Sequence, residues 1–119
     1  MFKALAKFVL VSTLVISTDA MANAVPELSL EAKVSKANVV IIGQAISNES
    51  NSEKVYARVQ VKSTLKGKPA KVLLVLTRGG IAEFAPMCCT PGQSYLFFLE
   101  DRGGGKYQSV NGRFGIYPM

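Results

Sequence analysis

Cys88 and Cys89 stand next to each other and are the only cysteines in the chain. Met87 precedes them, so this stretch concentrates the softest metal ligands and the most oxidisable side chains available. Bonding between neighbours is constrained, because ordinary bridges join Cα atoms about 4.4–6.8 Å apart. Consecutive Cα atoms lie only about 3.8 Å apart. Three arrangements are open. A vicinal disulfide would make a rigid apolar turn with redox lability. Each thiol could instead bond another chain, or one could be buried as a small hydrophobe while the other stays reduced or capped. The C-x-x-C pattern of thioredoxin-type enzymes is absent. A Cu(I) site at Met87, Cys88 and Cys89 would need a third convergent ligand, and nothing in the sequence brings Met119 near.

Other chemistry is sparse. The chain has no histidine, which removes Ser-His-Asp and Cys-His nucleophile activation and a principal zinc ligand. Past residue 24 the carboxylates are Glu27, Glu31, Glu49, Glu53, Glu83, Glu100 and Asp101, most of them in turns or at element ends. No residue is assigned to catalysis, to a cofactor or to a metal, and the chain reads as a non-enzyme.

The elements that must position the cysteines begin with a targeting segment. Lys3 and Lys7 precede the apolar run Phe8 to Ile16, and Ala22-Asn23-Ala24 supplies the small residues of a cleavage site. The run is shorter than the roughly 20 apolar residues of a membrane span. Residues 1–24 therefore read as a cleaved signal peptide and 25–119 as one exported domain, periplasmic or extracellular, without an integral span. The formal net charge is +6, and +5 once Lys3, Lys7 and Asp19 leave with the signal. Its basic residues read as scattered, so solubility explains them and nucleic acid is not expected; attraction to an acidic partner or an anionic envelope surface is the other reading.

A short helix is expected within residues 26–37, with Ser29 as N-cap and Leu30, Val34 and Ala37 along one face. The β-branched run Val39 to Ile46 is a first strand, with Gly43 marking a bulge. Ser47 to Lys54 reads as a polar hairpin loop. Val55 to Lys62 alternates, placing Val55, Ala57, Val59 and Val61 inward and Tyr56, Arg58, Gln60 and Lys62 outward. After a turn at Gly67 and Pro69, Lys71 to Thr77 is an interior strand apolar on both faces. Pro91 and Gly92 lead into Ser94 to Leu99, whose two apolar faces make it the centre of the core. The glycines of residues 101–106 join this strand to a short one over residues 107–110. Asn111-Gly112 signals a final hairpin, with a last strand over residues 113–117. Five to six short strands with one helix specify an all-β fold, closed into a small OB-like barrel to protect its edges.

Asn38-Val39-Val40-Ile41-Ile42-Gly43, Leu65-Lys66-Gly67 and Pro91-Gly92-Gln93-Ser94-Tyr95-Leu96-Phe97-Phe98-Leu99 occur in an order and spacing similar to small exported bacterial domains of the netrin-like and tissue-inhibitor-of-metalloproteinase group. The resemblance covers about residues 30–100 and implies an OB-fold barrel. Inhibitors of that group chelate the protease zinc through an N-terminal cysteine. Here Val25 and Pro26 would lead the mature chain, with no cysteine for sixty residues, so that chemistry does not carry over. What remains is a binding or inhibitor-like module of unassigned ligand. Its candidate contact surface is the loop over residues 79–90, with Phe84, Met87, Cys88 and Cys89, facing an exported or envelope protein. The alternative is a small redox-sensing or soft-metal-handling protein using the cysteine pair.

Overall fold

The computed structural model describes residues 25–80 and 85–119. Residues 1–24, read above as a signal peptide, and Phe84 lie outside the described residues. The helix, α1, spans Leu30–Lys36, and Ser29 caps it by accepting from the Ala32 amide at 3.1 Å. Six strands follow: β1 Val39–Asn51, β2 Lys54–Lys66, β3 Val72–Arg78, β4 Ser94–Asp101, β5 Lys106–Ser109 and β6 Ile116–Pro118.

Pairing runs β1-β2-β3-β5-β4, and β4 returns to β1, so five strands close a ring. All pairs in the ring are antiparallel except β3 with β5. β5 and β6 lie along one edge of β4, opposite its residues 99–101 and 95–97, while β1 takes the other edge. With neighbours on both edges, β4 is the centre of the molecule. Its Tyr95, Phe97 and Leu99 point into the ring with Ile41, Val59, Leu73 and Val75. Its Phe98 faces outward into a second cluster with Ala37, Val40 and Val110, covered by Leu28 and Tyr117. Both faces of β4 are thus dry, as its continuous apolar run requires.

The ring bends at Gly43. Register shifts between Ile42 and Gly43, and a Cβ at position 43 would stand 2.6 Å from the Val59 Cγ1. Only glycine lets the two strands approach so closely.

Several expectations need correction. Ser47 to Lys54 is no loop: β1 continues to Asn51 and the turn is Ser52-Glu53, with Ser52 at φ 61°. The polar run keeps strand geometry because each residue from Asn48 to Asn51 pairs with β2 and Glu49 meets Arg58 at 2.6 Å. Tyr56 is not wet; it is 9% exposed, with the Lys106 ammonium 5.3 Å from its ring centroid. β3 is not interior on both faces, since Leu73 and Val75 are buried while Val72 is exposed. Asn111-Gly112 does not close a hairpin. Both residues have positive φ, but the chain enters a 3-10 turn over Gly112–Phe114 and β6 pairs with β4, not β5. The Asn111 side chain is committed elsewhere, accepting from the Leu28 amide at 2.7 Å and donating to the Pro26 carbonyl at 3.0 Å.

The helix is also turned relative to its expected face. Leu30 and Val34 are exposed, and Lys33 is buried. Its ammonium donates to Glu27 at 2.9 Å and to the Tyr117 hydroxyl, so the aliphatic stem packs while the charge stays paired. Burial disfavours the charged lysine, yet the bonds to Tyr117 and Glu27 outweigh it and hold its pKa above the ordinary value. The Lys33 hydrogen bond, helped by that from Tyr117, holds the Glu27 carboxyl below the usual carboxylate value.

Candidate functional site

The loop over residues 79–90 leaves the end of β3 at Gly79. This glycine has φ +99°, and a Cβ there would stand 2.6 Å from the Glu53 carbonyl oxygen, so the loop starts packed against the β1–β2 turn. At its far end, Cys88 and Cys89 are disulfide-bonded to each other across a cis peptide bond, with Cα atoms 3.1 Å apart.

The pair does not form an exposed tip. Cys89 is 6% exposed and belongs to the main core, and Cys88 packs against that core while remaining partly exposed. Cys89 therefore leaves the candidate contact surface: a small sulfur side chain in the main core is worth more buried than wet. Pro86 is buried as well. Met87, between these two anchors, is 76% exposed. The candidate contact surface among the described residues reduces to Met87 with the outer side of Cys88.

Beyond the cysteines the chain is tied down. The Thr90 amide donates to the Tyr95 hydroxyl at 2.8 Å. The Gly92 amide donates to the Ala45 carbonyl at 2.8 Å, and the Ala45 amide to the Gln93 carbonyl at 2.9 Å. The Gln44 side chain adds a bond to the Gly92 carbonyl at 3.0 Å. Tyr95 stands in the core edge-to-face with Phe97, centroids 5.8 Å apart, so its hydroxyl links the buried interior to the residues just past the disulfide. Sequence reading placed Tyr95 in the core but missed this anchoring hydroxyl. The usable signal is its five-residue spacing from Thr90 across the Pro91-Gly92 turn.

Two cavities lie apart from the cysteines. One, of about 500 Å³, is lined by Asn51 to Lys54, Tyr56, Gly79 and Lys106. The other, of about 310 Å³, lies where Val25, Pro26 and Leu28 cross Glu100, Arg102 and Gln108. Among the described residues no three His, Cys, Asp or Glu side chains gather as metal ligands, and no helix is long and apolar enough to cross a membrane. No protein-family model matches the chain, and no curated protein or solved structure matches it either.

Proposed function

We propose that the chain is a small exported binding module on an OB-like barrel of the netrin-like kind, presenting Met87 and Cys88 to a protein of the cell envelope. The barrel reading is supported by the closed strand order, with β3 parallel to β5 and the remaining pairs antiparallel. One observation carries the binding reading. A 76% exposed methionine stands between a buried proline and a disulfide whose second cysteine is in the core. Exposing a large flexible side chain on so constrained a backbone lowers the ordering cost of a contact, and methionine adapts to apolar partners. Protease inhibition through a chelating N-terminus is not proposed, because Val25 and Pro26 offer no cysteine whose disulfide would hold the segment rigid.

The test is capture from envelope extract using wild type and Met87→Ser. A partner held by wild type and lost by the variant supports the reading. Equal capture would make the loop purely structural. A second reading, redox sensing, is favoured by the partial exposure of Cys88, which would give a thiolate access to the bond. Mass spectrometry with and without reductant reads the bond directly, and a double Cys88→Ser, Cys89→Ser protein that keeps its partner would sink the redox role.

A further inference from the structure

The net charge of the chain is concentrated in one hairpin. From Lys54 to Arg78 the sequence holds seven basic residues and no Asp or Glu, and that stretch is β2, its turn and β3. The scattered impression left by the sequence is therefore corrected. Arg58 is paired with Glu49, but among the described residues Lys62, Lys66, Lys68 and Lys71 enter no salt bridge.

Past Gln60, β2 outruns its neighbour. The β2–β3 ladder ends at Gln60 opposite Val72, with the Val61 amide donating to the Lys71 carbonyl at 2.8 Å. From Lys62 to Lys66, among the described residues, only β1 holds the strand. Register breaks there leave Lys62 and Leu65 without partners on β1, and Leu65 is 61% exposed. The face continues onto α1, because the Lys66 ammonium donates to the Val34 carbonyl at 2.7 Å. Val34 and Leu30, four residues apart, share a helix face and are both exposed. The carboxylate on this helix is Glu31.

We propose that this face, Leu65 and Val34 set among Lys62, Lys66, Lys68 and Lys71, docks on an anionic phospholipid bilayer. A diffuse negative surface suits lysines outside any salt bridge among the described residues, acting as point charges, with aliphatic side chains entering the headgroup boundary. A folded protein partner fits less well: the face lacks the Trp, Tyr or Arg anchors in a pocket that dominate such interfaces, and Lys62 to Lys71 line neither cavity. Strand addition to the open edge is opposed by its two bulges and its lysines.

The experiment is co-sedimentation of the protein, as recovered from expressing cells, with phosphatidylcholine vesicles with or without phosphatidylglycerol. Binding is expected to require the anionic lipid and to weaken as salt shortens the Debye length. Lys62→Gln and Lys68→Gln should each weaken it roughly fivefold, and Leu65→Ser should weaken it further. Arg113→Gln makes the same change in net charge on the 3-10 turn, outside the proposed set of residues, and should leave binding intact. Equal losses from Arg113→Gln and Lys68→Gln would overturn the proposal in favour of net charge alone. Binding to neutral vesicles as strong as to anionic ones, or to soluble polyaspartate but to no vesicle, would also overturn it. Met87→Ser should leave vesicle binding unchanged, so failure here and failure of the loop reading are distinguishable. Circular dichroism of each variant confirms that it is folded.

Discussion

The middle and the start of β1 present nearby side chains to solvent in opposite ways. Near Ala45, the cysteine loop is held by a disulfide, a tyrosine hydroxyl and paired backbone bonds, so that one exposed methionine is offered from a fixed backbone. Near Val40, some five residues or about 17 Å along the strand, β2 projects past β3 with lysines that form no salt bridge among the described residues. The two proposals thus put a shaped contact and a diffuse one on one small ring. Shape needs a positioned side chain, and therefore links to the core. Charge acts over roughly a Debye length and needs no such links.

This contrast can be broken by changing what each region owes to the core. Tyr95→Ala removes a buried ring and the hydroxyl that holds Thr90, and should cost about 3–5 kcal/mol in chemical denaturation. Lys33→Ala tests the paired lysine against the unpaired ones: losing its packed stem and its bonds to Glu27 and Tyr117 should cost about 2 kcal/mol. Tyr95→Phe isolates the hydroxyl and should cost about 1 kcal/mol, with faster amide exchange confined to residues near Thr90. Lys68→Gln should shift stability by no more than about 0.5 kcal/mol. A loss as large as that of Lys33→Ala would mean that the lysine face is structural after all.

Acid adds a finer test. Because Glu27 has a lowered pKa in the folded protein, its contribution is present above its unfolded value and is lost as pH falls through the folded one. Wild type should therefore lose stability in that acid window. Lys33→Ala should lose less there, since the partner chiefly responsible for lowering Glu27 is gone. Equal acid sensitivity in the two proteins would show that Lys33 does not set the Glu27 titration.

Where a residue's role depends on its neighbours in sequence, the sequence disclosed it. The run Ser94 to Leu99 announced a strand dry on both faces, Gly43 announced a bulge, and Ser29 announced a cap. The hidden features depend on partners far along the chain. Lys33 is buried because Tyr117 and Glu27 meet it, and no helical spacing reveals that. Asn111-Gly112 has the local chemistry of a hairpin, yet the Asn111 amide serves Pro26 and Leu28 instead. Cys89 reads as a surface residue until the main core, which also holds Tyr95 and Phe97, is assembled around it. The separation of charge was present in the sequence, but it becomes a face only once β2 is seen to outlast β3.

One junction makes the ring less uniform than a closed hoop suggests. β3 and β5 meet through Leu74 with Lys106 and Val75 with Tyr107, plus the Leu74 amide bond to the Gly105 carbonyl at 3.1 Å. Every other neighbour in the ring is joined over a longer stretch. This junction is a clasp. It adds the fewest ladder pairs to the ring, and the hydrogen bonds that join β1, β2 and β3 to one another do not depend on it.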